Sequence, residues 1–376
     1  MNGFEQAFGH ALTAWAALAT GFTAVTLWRL RRAPGASSSS ATPSEWPEVL
    51  LLRPMDAPTP RELANLASPV DYPGTLEQVV VSPYRPRLPP GVAWLPSDPM
   101  RKNRKAGHLA YALSALEVKG RVVLSVDADV AVDGALVKGL VAPLLQGAAL
   151  STAAPAVEGA TGLAGRAVRS LLCHGHHSFL ALHVMSAGAQ AVCGKALGLS
   201  EEAQGLLPGL ADHIGEDLEL SKALHARGKS VALSQACARV PAAPTRASAA
   251  LDRFTRWMQV LRAHRPGLFP TVPLLFAPAW PLGFCALLHG GAAPAAAVLA
   301  FLGARVLLGL RLGALHGVGA GAATDWVMAE ALLLSCWVRS LSRRTVSWRG
   351  RVYAVLPGGR MVPDFTDEGL SEEARP

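Results

Sequence analysis

Charge is scarce in this sequence: 16% of its 376 residues are Asp, Glu, Lys or Arg, against 51% apolar. A soluble domain carries roughly a quarter charged residues. The composition therefore excludes a wholly soluble chain and predicts that part of it sits in lipid. Cysteine is scarce as well. Cys173, Cys193, Cys237, Cys285 and Cys336 lie far apart, with no C-x-x-C pair. An odd, scattered set excludes a disulfide framework and a structural zinc site, and predicts a reducing compartment for the soluble part. What charge there is leans positive, at net +8. A basic chain can serve nucleic acid, an anionic bilayer surface or a phosphorylated substrate. Here arginines crowd beside apolar stretches (Arg29, Arg31, Arg32; Arg262, Arg265; Arg339, Arg343, Arg344, Arg349, Arg351), which favours the membrane over nucleic acid.

Ala7–Trp28 holds no Asp, Glu, Lys or Arg and runs straight into Arg29-Leu30-Arg31-Arg32. About 20 apolar residues span a bilayer. A cleaved signal peptide would carry its charges before the apolar core, the reverse of what is seen. The stretch reads as an uncleaved anchor, with the N-terminus outside and everything after Arg32 cytoplasmic. Phe269–Leu288 and Gly291–Leu310 predict a hairpin in the membrane that turns near Gly290-Gly291, its first arm kinked by Pro270, Pro273, Pro278 and Pro281. Ala323–Val338, which contains Asp325 and Glu330, is better placed in the interface or as a re-entrant segment, because spanning would carry the basic tail outside.

Between these segments, after a Ser/Thr/Pro linker around Ser37–Ser44, short apolar runs alternate with helical patterns. Val49–Leu52, Gln78–Ser82 and Arg121–Val126 predict buried strands; Arg61–Leu66, Lys105–Leu116 and Gly134–Leu145 predict helices. The alternation predicts an α/β fold with a largely parallel sheet. Ligands of such sheets bind beyond the carboxyl ends of strands.

Asp127-Ala128-Asp129 lies at such an end, directly after Val122–Val126. Two carboxylates one residue apart suit Mg²⁺ or Mn²⁺ and, through the cation, a diphosphate; an isolated D-x-D is more often a solvated turn. Gly215-Glu216-Asp217 opens the helical pattern Leu218–Arg227, where an acid serves either chemistry or the helix terminus. In Arg253-Phe254-Thr255-Arg256-Trp257 the two arginines share one helix face. They can grip phosphate oxygens or lie under lipid headgroups.

In this order, D-x-D after a strand, E-D before a helix and R-x-x-R-W before membrane segments resemble family 2-type glycosyltransferases of the GT-A (Rossmann-like) fold. The closer resemblance is to ceramide glucosyltransferase and its bacterial relatives (family 21), including hopanoid-associated enzymes. Leu51-Leu52-Arg53-Pro54, Asp71-Tyr72-Pro73, Asn103-Arg104-Lys105 and Thr345-Val346-Ser347-Trp348-Arg349 carry further pieces of it. The resemblance implies an inverting transfer of a hexose, most simply glucose from UDP-glucose, to a membrane lipid hydroxyl such as that of ceramide. The alternatives are the same chemistry on a hopanoid or other lipid alcohol, or a non-catalytic membrane scaffold.

It implies roles by position as well. Asp127 and Asp129 would hold a divalent cation, Mg²⁺ or Mn²⁺, and with Lys105 the donor diphosphate. Asp217, beside Glu216, would be the general base. Arg253, Arg256 and Trp257 would close over the diphosphate and the acceptor entrance, and His177 would stand on the acceptor side. His174-Gly175-His176-His177 could instead gather a metal. The implied organisation is an anchor over 1–32, a linker over 33–46, a cytoplasmic catalytic domain over 47–266, membrane segments over 267–340 and a basic tail over 341–376, in a bacterial inner membrane. One departure stands out: where the family places an acid after its second strand, this chain reads Val81-Ser82-Pro83-Tyr84. That leaves the donor open unless Ser82 or Tyr84 substitutes.

Overall fold

Runs of leucine and valine make strands that are buried on both sides. The computed structural model describes residues 3–32, 45–173, 175–186, 192–242, 246–348 and 351–363, without the side chains of 32, 175–178 and 348. Residues 33–44 of the linker, Arg349 and the last residues of the tail lie outside these. The strands are β1 (Val49–Pro54), β2 (Leu76–Ser82), β3 (Val92–Pro96), β4 (Val122–Val126), β5 (Leu150–Thr152), β6 (Pro155–Glu158), β7 (Ala196–Leu199), β8 (Val231–Leu233) and β9 (Ala238–Pro241). Seven form one sheet in the order β3-β2-β1-β4-β7-β5-β8, while β6 and β9 pair separately. In the seven-stranded sheet β7 runs antiparallel to both its neighbours and every other pairing is parallel.

Every residue of β1 is buried, as expected of a central parallel strand covered on both faces. Its alternate side chains enter two cores: Val49 and Leu51 join Leu124, Leu136 and Leu140 on one face. Leu50 and Leu52 join Leu109, Leu197 and Leu220 on the other. A fully buried leucine contributes about 1.5–3 kcal/mol, so the strand pattern alone fixes the register strongly. Asn103 caps the helix Arg104–Ala115 by accepting from Ala106 N–H, and Asp133 caps Gly134–Leu145 by accepting from Leu136 N–H. The chain winds outward from β1 to β3, then returns to place β4 on the other side of β1. The crevice at the carboxyl ends of β1 and β4 is thus a switch point, where ligands of such sheets bind.

Two helices, Gly3–Arg31 and Ala292–Leu315, are long and apolar enough to cross a membrane. They pack along each other around Leu12, Ala16, Ala19, Val298 and Phe301. The proline-rich arm is not one rod. A 3₁₀ turn (Phe269–Thr271) and a π turn (Val272–Phe276) precede the α-helix Ala279–His289, which leaves at 64°. Its far end turns at Gly290, a left-handed C-cap with φ 68°. The break leaves backbone groups without helical partners, and two charged side chains meet them. Arg305, fully buried, donates to the carbonyls of Leu275 (3.0 Å) and Phe276 (3.3 Å). Glu330 accepts from Ala279 N–H (2.8 Å) and pairs with Arg305 at 3.0 Å. Glu330 comes from the helix Asp325–Ser342, which packs on Gly162–Cys173 and on Ala247–His264. Asp325 at its start pairs with Arg166 and, at 2.7 Å, with Arg169.

Finally, β10 (Thr345–Trp348), β11 (Arg351–Val355) and β12 (Met361–Pro363) form a small antiparallel sheet.

Candidate active site

The D-x-D segment leaves the end of β4 and is pinned from beneath. Arg53, at the end of β1 and wholly buried, donates to the carbonyls of Asp127 (3.2 Å), Ala128 (3.2 Å) and Val130 (2.8 Å). Asn65 adds a bond to Ala128 O at 3.1 Å. Burial lowers the Arg53 pKa to about 10, against the opposing pull of Asp127 and Asp129, so it stays a cation at neutral pH. A charged fork on three carbonyls fixes the turn more firmly than neutral bonds would.

Two lysines face the two carboxylates. Lys105, in the first turn of its helix, lies 2.8 Å from Asp127 Oδ1 and 3.2 Å from Glu216 Oε1, and donates to Gly194 O at 2.6 Å. Lys195 lies 2.6 Å from Asp129 Oδ2 and 3.8 Å from Asp127 Oδ2. Asn103 Nδ2 donates to Glu216 Oε2 at 2.8 Å. Burial would lift the Asp127 carboxyl, but Lys105 and Lys195 outweigh it and hold the pKa below the usual range. Burial likewise opposes the charge on Lys105, and Asp127 and Glu216 overcome it, raising its pKa.

Asp217 responds in the opposite sense. Gly215, left-handed at φ 72°, caps the helix Glu216–His225, and Asp217 follows in its first turn. Burial and then the neighbouring Glu216 push its pKa up to about 6, against Lys105 and the backbone amides of Leu218 and Gly194. Gly194 matters here for want of a side chain: a Cβ would crowd Asp217 Oδ2 and Lys105 Nζ, at 3.1 and 3.2 Å. Two carboxyls in one crevice, one pushed down and one up, suit different chemical duties.

The crevice opens into a cavity of about 450 Å³ whose polar end is lined by Asn103, Lys105, Asp127, Lys195, Glu216 and Asp217. Arg253, Arg256 and Trp257, from the helix Ala247–His264, line it too. Arg253 lies 5.6 Å from the Trp257 ring centre, and burial, then Arg253, lowers the Arg256 pKa. Beyond them the wall is apolar: Leu171, Leu172, Phe179, Leu182, Leu268, Val272, Phe276 and Leu333. Val272 and Phe276 belong to the broken arm, so the cavity runs from the carboxylates to the membrane segments.

Of the residues singled out in the sequence, Lys105, Asp127, Glu216, Asp217, Arg253, Arg256 and Trp257 meet in this cavity, and Asp129 borders it through Lys195. The side chain of His177, with the alternative cluster around it, lies outside the described residues. Ser82 is fully buried, donating to Tyr84 O (2.8 Å) and accepting from Trp94 Nε1 (3.1 Å), while Tyr84 is exposed. Lys195 is absent from the sequence prediction. Its signal is positional: it immediately precedes β7, whose pairing with β4 continues as Asp127 N–H donating to Lys195 O at 2.8 Å. Arg265, also on the cavity wall, reads in the sequence only as a membrane-flanking charge.

Among the described residues no three His, Cys, Asp or Glu side chains gather to hold a metal. Asp127 and Asp129 fit a cation of the kind that takes one or two carboxylates and completes its shell with substrate phosphates and water.

A strand-end carboxylate cluster at a switch point, joined to an apolar cavity, has the form of an enzyme's active site. The Glycosyl transferase family 21 profile matches residues 96–361, and the chain belongs to that family. No curated protein sequence matches it. Among solved structures, the mannosyltransferase PcManGT from Pyrobaculum calidifontis, in complex with GDP-Man and Mn²⁺, is similar at 18% identity and a TM-score of 0.49. That match covers 90% of this chain and 99% of the other.

Proposed function

We propose that this glycosyltransferase moves a hexose, glucose from UDP-glucose in the simplest case, with inversion onto the hydroxyl of a membrane lipid such as ceramide. The observation that carries the reading is the continuous cavity, polar where Asp127, Asp217 and Lys105 line it and apolar where Val272 and Phe276 do. A lipid can keep its chains against the apolar wall while its hydroxyl reaches Asp217.

Asp217 takes the proton from that hydroxyl; its raised pKa keeps it basic enough to do so near neutrality. Lys105, Arg253 and Arg256 bear on the donor diphosphate and offset the charge it gains on departure. Asp127 and Asp129 hold Mg²⁺ or Mn²⁺, which when bound supplies Lewis-acid stabilisation to the leaving diphosphate. Trp257 closes the acceptor side. Attack from the face opposite the nucleotide yields a β-glycoside from an α-linked donor. The catalytic domain lies on the cytoplasmic side of a bacterial inner membrane, where nucleotide sugars are made and where the arginines after the anchor favour it.

The test is mass spectrometry of lipids from cells supplied with ceramide and hopanoid acceptors and expressing either the native chain or Asp217→Asn. A hexose-shifted lipid found only with the native chain is the expected result and names the acceptor. No new glycolipid from either chain, with expression in the membrane verified, would refute transfer to ceramide or a hopanoid and favour another acceptor or a non-catalytic role.

A further inference from the structure

The loop that carries Asp217 is braced from behind by the C-terminal end of the chain. Ile214 N–H donates to Gly359 O at 2.8 Å, and Met361 N–H donates to Asp212 O at 3.0 Å. Ile214 buries its side chain with Val346, Tyr353 and Met361 of the small sheet. The contact thus combines backbone bonding with a sealed apolar patch, three residues before Asp217.

His264 sits where brace and loop meet. It ends the helix that carries Arg253, Arg256 and Trp257, and its side chain is fully buried. Its Nε2 lies 2.6 Å from Ile214 O, and its Nδ1 lies 3.2 Å from Glu219 Oε2, on the helix that Asp217 begins. Two left-handed glycines leave room for the ring. A Cβ on Gly359 (φ 79°) would overlap the imidazole, and one on Gly215 (φ 72°) would stand 3.0 Å from Nε2. The same helix grips the brace elsewhere: Gln259 donates to Thr345 O at 2.8 Å and Arg262 to Arg343 O at 2.7 Å.

We infer that His264 is a positioning residue for the transfer reaction. By donating Nε2–H to the Ile214 carbonyl it sets the Gly215 turn, and so the angle at which Asp217 meets the acceptor, with the C-terminal sheet as its support. The inference rests on Asp217 being the base. It assigns the small sheet a part in catalysis, although among the described residues none of that sheet lines the cavity.

The physical expectation is a misplaced base rather than a lost binding site. A displacement of about 1 Å can cost roughly 100-fold in rate. The full-length chain is therefore assayed in vesicles with UDP-glucose and ceramide as native, His264→Ala and His264→Gln forms. The glutamine amide can donate from nearly the position of Nε2. His264→Ala is expected to lower kcat about 10- to 100-fold with the UDP-glucose KM within about twofold of native, and His264→Gln to recover most of the loss. Hydrogen–deuterium exchange on the same proteins needs no substrate. The amides of Ile214 and Met361, which donate across the contact, should lose protection in His264→Ala and keep it in His264→Gln. Native exchange at those amides in His264→Ala overturns the inference, as does native kcat. Normal transfer by Asp217→Asn would instead remove the base assignment, while the exchange result would still report on the brace.

Discussion

Replacing Asp217 by asparagine should destroy transfer and stabilise the protein, two effects with one cause. The carboxyl is moved from 3.8 to about 6, roughly two units at about 1.4 kcal/mol each, which sets a ceiling near 3 kcal/mol on what its ionisation costs the fold. The side chain keeps some contact with solvent, so screening leaves about 1–2 kcal/mol. The sign follows from proton binding. The folded state holds its proton more tightly than the unfolded chain, whose aspartate titrates near 3.9, so native stability falls as pH rises from about 4 to about 6 and is level above that. Asparagine has no such loss and can still accept from the amide of Leu218 or Gly194. At pH 7.5 the variant should melt higher, by about 2–4 °C for each kcal/mol in a domain of this size. At pH 5 the difference should shrink to about half, because the native carboxyl is then mostly protonated. Scanning fluorimetry of both forms in one detergent reads this directly, beside a transfer rate lowered about 10²- to 10⁴-fold. A variant that melts no higher than native at pH 7.5, or a gain that is the same at pH 5 and 8, would refute the assignment of a destabilised carboxylate.

The remaining expectations are briefer. The kcat of the native enzyme should fall on the acid side with an apparent midpoint near pH 6, where Asp217 gains its proton; a midpoint near 4 would mean that another group limits the rate. Chelation should abolish transfer, and Mn²⁺ or Mg²⁺ should restore it, whereas full activity in EDTA would separate Asp127 and Asp129 from metal binding. Leu171→Trp, which fills part of the apolar end of the cavity, should change the KM for lipid about tenfold or more and leave the KM for UDP-sugar unchanged. A donor effect as large as the lipid effect would show that the two ends are not separate sites.

Much of the parallel half of the fold is legible in the sequence because its physics is local. Val49–Leu52 and Val122–Val126 are short apolar runs, and Asn103 and Asp133 announce the helices after them as side-chain caps. The helix Gly134–Leu145 lies where its pattern predicts. Asp127, Glu216 and Asp217 are legible for the same reason: each stands at the end of a recognisable element. The antiparallel β7 is not. Its four residues carry no period that separates them from a turn, and the neighbours that make it a strand, β4 and β5, lie far away in sequence. Lys195 is lost with it. The brace beneath Asp217 is equally invisible, since a long stretch of chain separates Ile214 from Gly359. Proline spacing does foretell a kink near Pro278, but the 64° bend also depends on Arg305 and Glu330 reaching it from other helices.

That last dependence bears on how the protein is made. Arg305 reaches the bilayer within Ala292–Leu315 before Glu330 has been synthesised, and a lone arginine mid-helix costs about 2.5–3.5 kcal/mol to insert. The carbonyls of Leu275 and Phe276, which take its guanidinium, come earlier in the chain than Arg305 itself. Glu330 then arrives on a helix that also docks against the catalytic domain through Asp325, Arg166 and Arg169. The partner that completes the Arg305 pair and the residue that docks on Gly162–Cys173 therefore sit on one helix, so the two contacts stand or fall together.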